Sequence, residues 1–211
     1  MWAHNRSRRW PLGAAIASVA LGVVACTPLG DQRARDDLSG WVMDTPIPKP
    51  ALTLTDPEGQ PFDLKAETDG YVTLLFFGYT NCPDVCPVHM ASLGAVFKKL
   101  IPEVRNHIKV VFVTTDPERD TPESLRAWLD VFDRSFIGLR GPMEEINEAL
   151  ASMMLPGIAV MPSEHEGGPP LIGHPAAVLA FGRDGLARVR YPFGVRQADW
   201  LHDLPLLVLE P

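Results

Sequence analysis

Cysteine is the scarcest informative residue in this chain, with three among 211 residues. So few exclude a small fold built on disulfides, and a chain of this length can bury a core without them. Basic residues are also short, with 19 Lys and Arg against 26 Asp and Glu and a net charge of −7. That balance excludes a broad nucleic-acid-binding surface. No apolar run reaches the roughly 18 residues that a membrane span needs. Internal repeats and a second compositional regime are absent as well, which argues for one domain. What is present is ordinary: 46% hydrophobic residues, 21 prolines and 17 glycines. A collagen and a disordered chain are thereby excluded.

The first 25 residues read as an address. Arg6, Arg8 and Arg9 precede an apolar stretch of small residues from Pro11 to Ala25, the pattern of a secretory signal peptide. Val23-Val24-Ala25-Cys26 resembles a bacterial lipobox, so Cys26 is the expected lipidation site. The bland alternative is a buried helix with a free thiol, but the segment has no acidic residue and no polar face. Export runs through the general secretory route or, given Ser7-Arg8-Arg9 and Leu12, the twin-arginine route. Cleavage before Cys26 removes three arginines and moves the balance to −10. The product is a lipid-anchored protein facing the periplasm or cell exterior. Residues 26–50, with Pro46, Pro48 and Pro50, are expected to form a flexible tether.

Residues 51–211 read as a single α/β domain. Ala51–Thr55 and Pro61–Leu64 flank Asp56-Pro57-Glu58-Gly59 and predict an N-terminal β-hairpin. Tyr71–Tyr79 and Lys109–Thr115 are continuous apolar runs, as expected for strands covered on both faces. Helices are expected over Val88–Leu100, over Pro122–Phe132 with Asp120 or Thr121 as cap, over Met143–Met154 and over Gln197–Leu207. Phe136–Leu139 is a short strand, and Ala176–Phe181 with Ala187–Tyr191 makes a hairpin. The alternation gives a central mixed sheet flanked by helices.

The chemistry lies in Cys82-Pro83-Asp84-Val85-Cys86-Pro87, between the first buried strand and a helix. The prolines restrict the loop, and Pro87 reads as the first helical residue. Two sulfurs at this spacing can close a disulfide or grip one soft metal ion, and inert burial is the bland reading. A metal needs a further ligand. His89 can turn toward Cys86 or toward solvent. His107 and His202 read as exposed, and His165 sits in a Gly- and Pro-rich loop. His174 precedes a predicted strand at the sheet's active end. Asp116, ending a central strand, is a candidate support for the site.

The run Phe77-Gly78-Tyr79-Thr80-Asn81-Cys82-Pro83-Asp84-Val85-Cys86-Pro87 resembles the signature of the Sco/SenC family. Thr115-Asp116-Pro117-Glu118-Arg119-Asp120-Thr121-Pro122-Glu123 is similar to that family's second block, and the likeness spans about residues 50–211. The resemblance implies a thioredoxin-like fold and one copper ion, Cu(I) or Cu(II), held by Cys82, Cys86 and His174. Gly173 and Pro175 stand where the family usually has Asp and Ser or Thr. Thioredoxin-like folds also suggest a cis bond before Pro175.

Two functions follow. The resemblance implies a copper chaperone serving the binuclear copper site of a cytochrome c oxidase subunit, tethered to the membrane through Cys26. The alternative is a thiol–disulfide oxidoreductase in which Cys82 and Cys86 are a catalytic redox pair reducing that subunit or another exported partner. A copper- or redox-sensing lipoprotein would share the same site. A thiol peroxidase is disfavoured, since no peroxidatic threonine-cysteine motif with a supporting arginine is evident.

Overall fold

The structure, a computed structural model, describes residues 37–163 and 168–210. The expected signal peptide, Cys26 and His165 lie outside the described residues. The chain forms β1 (Trp41–Pro48), β2 (Thr53–Thr55), β3 (Pro61–Asp63), α1 (Leu64–Glu67), β4 (Val72–Gly78), α2 (Val85–Phe97) and α3 (Pro102–Arg105). It continues with β5 (Ile108–Thr114), α4 (Pro122–Asp130), β6 (Ile137–Leu139), α5 (Met143–Ser152), β7 (Ala159–Met161) and β8 (Leu171–Gly173). Strands β9 (Val178–Phe181) and β10 (Leu186–Tyr191) and helix α6 (Gln197–Leu209) complete it.

Six strands make the central sheet in the order β1-β10-β9-β4-β5-β6. Strands β4, β5 and β6 run parallel, while β9, β10 and β1 join antiparallel. All seven residues of β4 are buried, because helices cover both faces of a parallel centre. Leu74 and Phe76 point into one core with Met90, Leu93 and Trp200. Leu75 and Phe77 point into the other with Ile146, Leu150 and Leu64. The expected hairpin is present, with Leu54 paired to Phe62 and Gly59 at φ 80 in the turn.

Three expectations need correction. The tether does not run to residue 50, because β1 already pairs with β10 from Trp41 to Pro48. Its prolines are tolerated at a sheet edge, where a missing N–H faces outward, and the ladder slips between Val42 and Ile47. Helix α2 begins at Val85 rather than Val88. Asp84 caps it by accepting from the Val85 N–H, and Pro87 falls in the first turn, where its missing N–H has no intrahelical partner to lose. Cys86 is therefore helical despite the proline after it. No cis peptide bond occurs among the described residues, so Pro175 is trans. Strands β7 and β8 pair with each other apart from the main sheet. Their short, mostly exposed strands carry little apolar alternation to announce them.

Candidate metal centre

The centre sits where β4 ends. Gly78 closes that strand, and a Cβ there would meet the Cys86 Sγ at 2.6 Å. Glycine is what lets a sulfur lie directly against the strand end. A turn follows, with the Cys82 N–H donating to the Tyr79 carbonyl at 3.2 Å. Helix α2 then brings Cys86 into its first turn, where its N–H points at the Cys82 Sγ, 3.5 Å away.

This loop is fastened from below by Asp120, which is fully buried. Its side chain accepts from the Thr80 N–H at 3.0 Å and from the hydroxyls of Thr80 and Thr114. The segment after β5 thereby holds the segment after β4. Thr121 caps α4 through its hydroxyl, which leaves Asp120 free to turn inward. Asp116 does not reach the sulfurs. It pairs with Arg119, whose guanidinium lies 5.9 Å from the Tyr79 ring and donates to the Pro170 carbonyl.

The third element arrives from β8. His174 Nε2 lies 3.4 Å from the Cys86 Sγ and 3.8 Å from the Cys82 Sγ. The three ligand atoms all fall within 4.8 Å of one another. The His174 Nδ1 lies 3.1 Å from the Pro175 carbonyl, which can only accept, so Nδ1 carries a proton and Nε2 is the nitrogen that faces the sulfurs. The ring stands edge-on to Phe76 and Tyr79, each with centroids 5.8 Å away.

The sulfurs differ. The Cys82 thiol is lowered from 9.0 to about 4, chiefly by its hydrogen bond with Cys86 and further by His174 and nearby backbone N–H groups, against desolvation. Burial first, and then the neighbouring Cys82, pushes the Cys86 thiol well above the ordinary range. Without metal the pair is one thiolate held by one thiol. Two thiolates and an imidazole suit a soft ion, with the nitrogen extending the range to Cu(II).

The structure thus brings Cys82, Cys86 and His174 together. His89 faces neither Cys86 nor solvent: it is buried, with Nε2 3.0 Å from the Ala176 carbonyl. His107 is exposed, and His202 is half-exposed beside buried Asp203. Gly78 and Asp120 are contributors that the sequence reading missed. A glycine ending a mainly apolar strand was the available signal for the first. For the second, two adjacent cap candidates left one carboxylate without a task.

A Stutzerimonas stutzeri protein named for copper binding is 34% identical over 139 residues, covering 66% of this chain and 66% of its own length. Yeast "Protein SCO2, mitochondrial" is 36% identical over 97 residues, 45% of this chain and 31% of that protein. The chain therefore spans between about a third and two thirds of these relatives. The solution structure of apo Sco1 from Thermus thermophilus superposes with TM-score 0.68 at 32% identity, covering 81% of this chain and 96% of that one. Bradyrhizobium japonicum ScoI with copper bound gives 0.64 at 29% identity, covering 75% and 98%. These neighbours share the thioredoxin-like fold. The SCO1/SenC family model matches residues 45–208, and the chain belongs to that family.

Proposed function

We propose that this protein is a membrane-tethered copper carrier that delivers copper to the binuclear copper site of a cytochrome c oxidase subunit. The convergence of two cysteine sulfurs and the His174 Nε2 within 4.8 Å carries the reading. Copper bound to the related Bradyrhizobium japonicum ScoI supports the choice of metal. The family of BsSco is described as cytochrome c oxidase assembly proteins, which supports the acceptor. Three ligands leave copper a vacant position that an acceptor's ligand can attack, as a carrier requires. Cys82 and Cys86 hold Cu(I), and His174 completes a set that also accepts Cu(II).

Lipidation of Cys26, read from the sequence, supplies the location. Trp41 pairs with Arg190, and the next residue, Tyr191, pairs with Val178, close after His174. Strand β1 therefore starts at the end of the sheet that carries the metal centre. A lipid on Cys26 would hold that end toward the bilayer, within about 50 Å at full stretch of the intervening chain.

The asymmetry of the two thiols supports a second reading, disulfide reduction. The Cys82 thiolate would attack a partner's disulfide, and Cys86 would release the reduced partner by closing a Cys82–Cys86 disulfide. Both cysteines are free in the structure. Anaerobic copper titration of wild type and His174→Ala, read by sulfur-to-copper charge transfer, tests the carrier. One-to-one binding weakened in the variant supports it, and no specific binding hands the case to the reductase. In cells, a deletion strain rescued by added copper points to delivery, and rescue by a small thiol alone points to reduction.

A further inference from the structure

His89 lies on α2, three residues after Cys86, and is buried although it joins no ligand group. Its Nε2 lies 3.0 Å from the Ala176 carbonyl, so this nitrogen carries a proton and donates it. Ala176 follows His174 by two residues and is itself exposed. Water could serve that carbonyl, whereas the buried imidazole cannot do without a partner. The ring also packs on Phe76, with centroids 5.1 Å apart, and Phe76 receives His174 edge-on at 5.8 Å. Two imidazoles thus share one fully buried phenyl ring. Phe193 closes the outer side of His89 at 5.7 Å.

The His174 segment has few holds between its two paired ends, Gly173 on Ala159 and Val178 on Tyr191. Gly173 has no side chain and Pro175 no N–H, so from these neighbours the histidine gains the Pro175 carbonyl, 3.1 Å from its Nδ1. Upstream, the Ile172 N–H reaches the Tyr79 hydroxyl only at 3.4 Å. Downstream, the bond from His89 is the shorter one, and it starts on the helix that carries Cys86.

We infer that His89 is a positioning residue for the metal centre: by donating to the Ala176 carbonyl, it sets where His174 presents Nε2 to the two sulfurs. The inference rests on reading Cys82, Cys86 and His174 as the ligand set. It ties the third ligand to the helix that carries Cys86, so the geometry of all three is set by α2 and the turn that leads into it from β4. Burial lowers the His89 pKa, consistent with a neutral donor, but the argument stands on the bond and the packing.

The test uses the full chain with His89→Phe, which keeps a ring against Phe76 and loses the donor, and His89→Gln, which keeps a donor and loses the ring. With Cu(II) as the probe, His89→Phe should bind about 10- to 100-fold more weakly and shift the copper electron paramagnetic resonance spectrum. His89→Gln should restore most of both. In a His174→Ala background, with Cu(I) as the probe because the two sulfurs still hold it, His89→Phe should have no further effect. Wild-type affinity and spectrum in His89→Phe would overturn the inference. So would an equal loss in the His174→Ala background, or a loss in both His89 variants that tracks a lowered melting temperature. A readout without metal separates this inference from the ligand assignment: in His89→Phe, backbone amides near residues 176–178 should exchange faster while those of α2 and β4 keep their protection. If the wild type bound no copper, the ligand reading would fall, and unchanged exchange would still overturn the role of His89.

Discussion

The two sides of the metal centre are built differently. The cysteine side grows from β4, a strand buried at all seven residues, is fastened by Asp120, and has Cys86 fully buried against Gly78. The histidine side hangs from a two-stranded hairpin outside the central sheet, with β7 exposed along its length. Bonds from elsewhere in the chain to this side include Arg119 to the Pro170 carbonyl, the Ile158 N–H to Asn147, the Ile172 N–H to Tyr79, and His89 to the Ala176 carbonyl. Segments with few buried contacts open locally at lower free energy than core strands. The difference suits a carrier. On the proposed carrier reading, two ligands would stay fixed while the third withdrew without disturbing the core.

Removing a fixed ligand should have the largest effect. Cys86→Ser or Cys82→Ser should abolish one-to-one copper binding and any disulfide exchange, while circular dichroism shows the fold retained. Tight Cu(I) binding by either variant would mean that the cysteine side is not the anchor. Next comes the movable ligand. His174→Ala should lose Cu(II) binding and keep Cu(I) on the two sulfurs at reduced affinity. Because His174 is only partly buried, its stability cost should stay within about 0.5 kcal/mol by urea unfolding. Equal loss of both oxidation states would erase the contrast between the two sides.

Disturbing the supports should separate the sides further. In Gly78→Ala the new methyl would meet the Cys86 sulfur at 2.6 Å, with Phe112 and Phe76 at 3.1 and 3.2 Å behind it. Overpacking of this kind costs about 1–3 kcal/mol and should move the sulfur, so stability and affinity fall together. Asp120→Ala should cost about 1–3 kcal/mol by leaving the Thr80 and Thr114 donors without their acceptor. Disturbing the hairpin, by contrast, should change affinity with little change in stability.

The same contrast explains what was legible in the sequence. Strands β4 and β5 and the Cys82–Cys86 pair announce themselves, because burial on both faces demands continuous apolar residues and the prolines mark the loop. The expected sheet, the first hairpin and the Thr121 cap follow from equally local rules. Strand β1 was hidden by prolines that only an edge position tolerates, and β7 and β8 by lacking a buried face. Asp120 and His89 could not be assigned because their partners, Thr80 and Ala176, are distant in sequence. His174 came through family resemblance, since its own neighbours, Gly173 and Pro175, give no sign of a ligand.

The smallest effect to measure is a proton count, and it bears on the cysteine side alone. Metal binding must displace whatever protons the ligand sulfurs hold. With Cys82 at about 4 and Cys86 held protonated by burial, the metal-free pair carries one proton near neutral pH. Cu(I) binding should then release about one proton rather than two, measured by calorimetry in buffers of different ionisation enthalpy. Stability follows the same groups. A depressed thiol contributes stability that is complete above its ordinary value of 9.0 and lost as pH falls through about 4. A raised thiol contributes stability that is present below 9.0 and lost above it. The reduced, metal-free protein should therefore gain stability from the pair as pH rises toward 9.0 and lose it beyond. Cys82→Ser should flatten the acid limb of that curve in urea unfolding under reductant. Release of two protons, or an unchanged acid limb in Cys82→Ser, would show that the two sulfurs start alike and that the asymmetry of the centre lies only between sulfur and nitrogen.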